Sequence, residues 1–127
     1  MLVECLKNHK YAKVGYYCDE YNEYFDTELG WVTERGMLSY CTKVIIIRKG
    51  RVIFTGRYSR TTSRHLSWWM EEHACILKGL TIKDLDDMFA KEVAYNLKTK
   101  SFEPLTETEK MEVKEIRRKA FNYGYGW

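Results

Sequence analysis

Hydrophobic residues follow a strand-like pattern in the first half of the chain and a helical pattern in the second half. Residues 37–48 contain a short run of β-branched residues, which predicts a strand. Residues 51–58 alternate between an apolar face and a largely basic face, which predicts a second strand. Lys49 and Gly50 stand between the two runs, and glycine readily supplies the positive φ that a tight turn needs. We therefore predict an antiparallel hairpin, 37–48/51–58.

About three helices are predicted after residue 60. The first follows a run of hydroxyl residues that can cap it, and its apolar residues recur at helical spacing. That stripe consists of Leu66, Trp69, Met70, His73, Ile76 and Leu77. The second helix begins at a capping box at Thr81 and fades near Leu97. The third follows Pro104 and has a capping box at Thr106.

The first 34 residues have a less regular pattern. Leu2–Leu6 and Lys13–Cys18 have the composition of short strands, and residues 19–31 are acidic and aromatic, as in a loop or a further hairpin. Strands followed by helices indicate the α+β class. We expect a small antiparallel sheet, made of the N-terminal strands and the 37–48/51–58 hairpin, packed by about three helices.

The length of 127 residues predicts one domain over residues 1–127. It would be sheet-rich over 1–60 and helical over 61–122, with an aromatic tail at 123–127. The chain has neither a signal-peptide pattern nor an apolar run of about 20 residues that could span a membrane. We therefore expect a cytoplasmic protein without membrane contact, whose four cysteines are reduced thiols.

The charged residues are strongly polarised along the chain. Between residues 35 and 70 there are eight basic residues and no acidic one, although the net charge of the whole chain is only +3. The eight are Arg35, Lys43, Arg48, Lys49, Arg51, Arg57, Arg60 and Arg64. A local excess of positive charge attracts phosphates or acidic protein surfaces.

Two groups of residues form the predicted binding surface. The first lies on the tip and outer face of the predicted hairpin and consists of Arg48, Lys49, Arg51 and Arg57. The second lies at the start of the first helix, where backbone amides and the helix dipole favour an anion. It consists of Arg60, Thr62, Arg64, His65 and Trp68. Trp68 lies off the apolar stripe, and an exposed tryptophan is a typical interface anchor. The alternative is that the hydroxyls only cap the helix and the arginines are solvated.

The sequence gives little support for catalysis or metal binding. Ser63 and His65 are two residues apart at a helix start, so their side chains diverge. The cysteine and histidine spacings match no standard zinc module, and buried thiols explain them better. We expect no cofactor and no metal, and the balance leans against an enzyme.

The helix-start segment carries a resemblance. The pattern Ser39-Tyr40-Cys-Thr42, then Val44, then Tyr58-Ser59-x-Thr61-Thr62-Ser63-Arg64-His65 resembles one found in small bacteriophage-encoded proteins of unknown function. The resemblance covers about residues 37–73 and implies a phage or mobile-element origin. It transfers no catalytic role. Small phage proteins often act on host machinery, for example as anti-CRISPR or other host-defence inhibitors.

Three hypotheses follow, in order of preference. The first is a non-enzymatic accessory protein that binds a host protein or ribonucleoprotein complex through the basic hairpin and the helix start. The second is a regulatory or accessory protein that binds nucleic acid directly. The third is a small phosphotransfer enzyme or nuclease that uses Arg64 and His65. The sequence leaves the oligomeric state open.

Overall fold

The fold is built on an antiparallel sheet with its strands in chain order. A computed structural model describes residues 21–39, 42–58, 60–77 and 79–122. Within them the sheet has six strands. They are β1 (Tyr21–Glu28), β2 (Trp31–Ser39), β3 (Thr42–Arg48), β4 (Arg51–Phe54), β5 (Val93–Asn96) and β6 (Ser101–Pro104).

Four helices accompany these strands in the described part of the chain. They are α1 (Arg60–Glu72), α2 (Ala74–Leu77), α3 (Ile82–Lys91) and α4 (Glu107–Asn122). The first three lie between β4 and β5, and α4 follows β6. The α+β class is therefore confirmed, with a larger sheet than the sequence pattern indicates.

The predicted turn between β3 and β4 is confirmed. Arg48 pairs with Arg51, and the two residues between them, Lys49 and Gly50, have φ values of 52° and 76°. Two consecutive positive φ values are typical of the type I′ turn, whose twist matches that of the flanking strands. Glycine adopts this conformation without the strain that a Cβ atom brings.

The sheet has an apolar core on each face. The larger one contains side chains of β2–β5 together with the buried stripe of the first helices, including Leu66 and Trp69. The smaller one lies under α4 and consists of Ile46, Ile53, Ala94 and Val113. Successive strand residues point to opposite faces, so Arg48 and Arg51 share the α4 face with Ile46 and Ile53. The alternation therefore places two residues of the predicted basic face, Arg48 and Arg51, on the side of the sheet where α4 packs.

Two predicted elements need correction. The strand 37–48 is not continuous, because β2 ends at Ser39 and β3 begins at Thr42. The second predicted helix does not reach Leu97 but ends at Lys91. The next residue, Glu92, takes a left-handed conformation (φ 55°) and donates its N–H to the last turn of α3. The chain then enters β5, where Tyr95 pairs with Val52 of β4.

Several local predictions are confirmed. Leu66, Trp69, Met70 and Leu77 of the predicted stripe are buried. Thr81 and Thr106 both form capping boxes, with Asp84 and Glu109 as the reciprocal partners. The predicted strands Leu2–Leu6 and Lys13–Cys18 and the tail 123–127 lie outside the described residues.

The β1–β2 hairpin packs tightly against β3 at Gly36. A Cβ atom at this position would lie 1.8 Å from the Ile45 carbonyl oxygen and 2.9 Å from the ring of Tyr24. Only glycine avoids both contacts, so residue 36 lets Tyr24 lie across the sheet. In this position the Tyr24 hydroxyl reaches the carboxylate of Glu34.

Candidate functional site

The arginines of the predicted basic face take part in an ion-pair network between the sheet and α4. Arg48 donates to Glu34 of β2 at 2.7 and 2.9 Å and to Glu112 of α4 at 2.7 and 3.0 Å. The bonds to Glu112 and Glu34 hold the pKa of Arg48 above its ordinary value. The guanidinium group of Arg48 has five N–H donors, which suits simultaneous pairing with two carboxylates.

Arg51 and Arg57 are also paired within the chain. Arg51 donates to Glu109 of α4 at 2.9 and 3.2 Å and contacts Glu103 of β6. Arg57 forms a bidentate pair with Asp86 of α3 at 2.7 and 3.0 Å. These pairs neutralise the positive charges of Arg51 and Arg57.

Glu34 is the centre of the network. Its side chain is only 9% exposed and accepts from Lys43 and from the Tyr24 hydroxyl, each at 2.8 Å, as well as from Arg48. Burial alone would raise the pKa of Glu34, but these hydrogen bonds outweigh it and hold the pKa below its ordinary value. Burial also raises the pKa of Tyr24, so the hydroxyl stays protonated and donates to the carboxylate. The cluster is a satisfied ionic core, not an open binding surface.

The predicted open basic face needs correction at Arg48 and Arg51, which are partly buried and paired, whereas Lys49 and Arg57 are exposed. The face that carries Arg48 and Arg51 is covered by α4, whose carboxylates face the guanidinium groups. Within the described ranges, Lys49 is the exposed member of the four that forms no ion pair. A binding role for these residues stays a prediction, but it would have to compete with their internal partners.

The helix-start residues divide into a buried pair and an exposed pair. Thr62 and His65 are buried, and the Ser39 hydroxyl lies 2.9 Å from His65 Nδ1. Arg64 is exposed and has no ion pair among the residues that the structure describes. Trp68 is 47% exposed, as predicted from its place off the stripe, and its ring lies 6.0 Å from that of His65. The side chain of Arg60 lies outside the described part of the structure.

Most of the described polar residues in the Ser39–His65 pattern are internal. Ser39, Thr42, Tyr58, Thr62 and His65 are all buried. The Tyr58 hydroxyl lies 2.8 Å from Thr55 Oγ1, which also donates to the Lys43 carbonyl at 2.7 Å. These bonds join β3, the end of β4 and the segment before α1, and the Ser39–His65 contact joins β2 to α1. Much of the described pattern is therefore a folding junction rather than an open surface.

The tip of the β1–β2 hairpin is a candidate surface that the sequence reasoning missed. Leu29 is 92% exposed, Trp31 77% and Val32 55%. Large apolar side chains clustered in an exposed position mark interaction sites more often than single exposed ones do. The available signal was the Gly30 turn beside a tryptophan, in a segment interpreted as either a loop or a hairpin. We call residues 29–32 the hairpin tip.

Titratable side chains elsewhere form no metal-ligand cluster in the described ranges. His73 Nε2 lies 2.7 Å from Glu23 and its ring stacks on Trp69, while Cys75 is exposed. The other cysteines considered as ligands, Cys5, Cys18 and Cys41, lie outside the described residues. No helix of the described chain is long and apolar enough to span a bilayer.

Comparison with known proteins identifies a family of unknown function. A model described as a family of unknown function, DUF8033, matches residues 7–85, which is more than half of the chain. The chain belongs to this family. No curated protein and no solved structure matches it. The matched range contains the hairpin tip and the Ser39–His65 junction and ends within α3, so β5, β6 and α4 lie outside it.

Proposed function

We propose that this chain is a non-enzymatic binding protein that engages another protein through the hairpin tip. The observation that carries the proposal is the exposure of Leu29, Trp31 and Val32 at the end of a structured hairpin. Exposing such side chains to water is unfavourable by about 25 cal/mol for each Å² of apolar surface, and a partner that covers them recovers this free energy. Tryptophan is also enriched among the residues that dominate binding energy at protein interfaces.

The charge distribution favours a protein over a nucleic acid as the partner. Binding to nucleic acid draws most of its affinity from Lys and Arg contacts to phosphates. Here Arg48, Arg51 and Arg57 already pair with carboxylates of the same chain. A phosphate at Arg48 would have to displace Glu34 and Glu112, which leaves the buried Glu34 carboxylate without one of its cations. Apolar anchoring at the hairpin tip requires no such exchange.

The histidine–serine pair supports a structural role better than a catalytic one. Ser39 of β2 and His65 of α1 are both buried, and a nucleophile must reach its substrate. Within a phage context, the resemblance to phage-encoded proteins implies a host protein or ribonucleoprotein complex as the partner. Inhibition of a host-defence complex, in the manner of an anti-CRISPR protein, is the activity we propose for such a contact.

A capture experiment tests the proposal. The tagged full chain is incubated with a bacterial lysate, with and without nuclease treatment, alongside Leu29→Ser/Trp31→Ser and a control, Phe102→Ser/Met111→Ser. The control also removes two exposed apolar side chains, because Phe102 and Met111 are 53% and 69% exposed. A protein identified by mass spectrometry is then purified and mixed with each variant in gel filtration.

We expect the wild type and the control to form a complex that the hairpin-tip variant does not form. A complex that survives in the hairpin-tip variant, or one that nuclease treatment abolishes, would overturn the proposal. The second result would instead favour direct nucleic-acid binding, the remaining candidate function.

A further inference from the structure

Three of the turns between neighbouring strands lie at one end of the sheet. In an antiparallel sheet with strands in chain order, the β1–β2, β3–β4 and β5–β6 turns all lie at the same end of the strands. The second and third are joined directly, since the Leu97 N–H donates to the Gly50 carbonyl at 2.8 Å. Neighbouring hairpins are two strand spacings apart, about 10 Å. The side chains of these three turns therefore form one continuous surface at this end of the sheet. We call this surface the turn edge, or simply the edge.

The hairpin tip projects beyond this edge. Glu34 of β2 is level with Arg48, the last residue of β3. Residues Trp31–Thr33 extend further, by roughly 10 Å at about 3.3 Å per residue. Trp31 and Val32 are adjacent on the strand and so point to opposite faces, while Leu29 occupies the turn. Apolar surface on both faces and the end of a narrow projection suits insertion into a pocket better than contact with a flat surface.

Positive charge flanks the projection on the same edge. Lys49 in the second turn and Lys98 and Lys100 in the third are exposed, and none forms an ion pair among the residues described here. The nearby carboxylate of Glu103 is occupied by Arg51 and Asn96. Glu28, next to the tip, is the exposed acidic residue that opposes them. The edge thus keeps a net positive charge, supplied by lysines, while the arginines on the covered face are neutralised.

We infer that the partner presents an apolar pocket bordered by acidic side chains, which receives the hairpin tip while Lys49, Lys98 and Lys100 face the acidic border. This inference rests on the proposed function and adds the chemistry of the partner. Charges at the rim of an interface act mainly by accelerating association and making it salt-dependent, whereas the apolar anchor slows dissociation. The two groups therefore have separable kinetic effects.

A peptide-display selection, followed by binding measurements on matched variants, tests this inference. A yeast-displayed library of random linear peptides is selected on the immobilised full chain. Enriched peptides are then measured by biosensor against Leu29→Ser/Trp31→Ser, Lys49→Gln/Lys98→Gln/Lys100→Gln, and the control Lys83→Gln/Lys91→Gln/Lys114→Gln. The control removes the same charge from exposed lysines on α3 and α4. Oligo-dT and vesicles of phosphatidylcholine with phosphatidylserine are tested as alternative ligands, and urea unfolding checks that every variant is folded.

We expect selected peptides to combine Asp or Glu with large apolar residues and to lose binding to the hairpin-tip variant. The turn-lysine variant should associate about tenfold more slowly at low salt and lose most of its salt dependence, while the control lysine variant behaves as the wild type.

Other outcomes overturn the inference in distinguishable ways. Peptides that need the tip but bind the turn-lysine variant normally would refute the acidic border and leave the proposed function intact. Failure to select any tip-dependent peptide would count against both proposals. Tip-dependent binding of oligo-dT or of the vesicles would also refute both, and would assign the edge to nucleic acid or to an anionic membrane surface.

Discussion

Replacing Arg48 by Met should destabilise the protein by about 2–3 kcal/mol, well above the effect of an ordinary surface charge. Methionine keeps the apolar stem of the side chain and removes its charge. Arg48 makes four hydrogen bonds, two to Glu34 and two to Glu112. The change leaves Glu34, whose side chain is 9% exposed, without one of its two closest cations.

The magnitude follows from two opposing considerations. Breaking a fully buried ion pair by removing one partner costs about 3–5 kcal/mol. Arg48 is 31% exposed, so solvent screens part of the interaction, and Glu34 keeps its bonds to Lys43 and Tyr24. The matched control is Arg118→Met on α4, the helix that carries Glu112, where Arg118 and its partner Glu115 are 57% and 50% exposed. An exposed pair at this spacing contributes about 0.5 kcal/mol or less.

Urea unfolding of both variants measures the difference, and the pH dependence tests its cause. The pKa of Glu34 lies below its ordinary value in the folded protein, so the carboxylate stabilises the fold above the unfolded pKa and loses this effect as the pH falls. The cost of Arg48→Met should therefore be largest near neutral pH and shrink in acid. Adding Glu34→Gln should recover part of the loss by removing the stranded charge. Equal destabilisation by Arg48→Met and Arg118→Met would refute the claim that the network is internal.

Two further predictions concern the core and the acid stability. Trp69→Ala should cost about 3–5 kcal/mol because Trp69 is fully buried, whereas half-exposed Trp68→Ala should cost about 1 kcal/mol or less in the same urea titrations. Comparable losses of stability from the two changes would contradict an α1 orientation that directs Trp69 into the core and Trp68 towards solvent. Glu109 also titrates below its ordinary pKa, because hydrogen bonds from Arg51 and Thr106 outweigh burial. Stability should fall as the pH drops below about 4.3, and Glu109→Gln should make this decline shallower in thermal melts.

Local features of the fold were predictable because their causes lie within a few residues. The Lys49-Gly50 turn and the capping boxes at Thr81 and Thr106 depend on contacts across three or four positions. The region after α3 was not predictable in the same way. Val93 lies four residues after Phe89 and fits the helical stripe, yet it pairs with Pro104 in a strand. A short apolar segment satisfies both patterns, and tertiary pairing decides between them.

The candidate site was less predictable than the fold. Trp68 was correctly placed outside the core by helical spacing alone. The hairpin tip was missed because an acidic and aromatic segment does not disclose whether its aromatics are buried. Lys98 and Lys100 were missed because the preceding helix was extended through the position where β5 begins. Each miss concerns a residue whose exposure depends on which strands pair.

The basic run between residues 35 and 70 illustrates why charge along a sequence differs from charge on a surface. Arg48 and Arg51 meet their carboxylates on α4, which lie 64 and 58 positions away in the chain. The carboxylates of α4 come close to these arginines only in the folded chain. Counting charges within one segment of the sequence therefore could not identify the ion pairs. Because Arg48 and Arg51 pair with carboxylates of α4, the exposed unpaired positive charge at the turn end of the sheet is supplied by lysines. Arginine suits the internal role, since its planar group satisfies two carboxylates at once, while a hydrated lysine remains available at an edge.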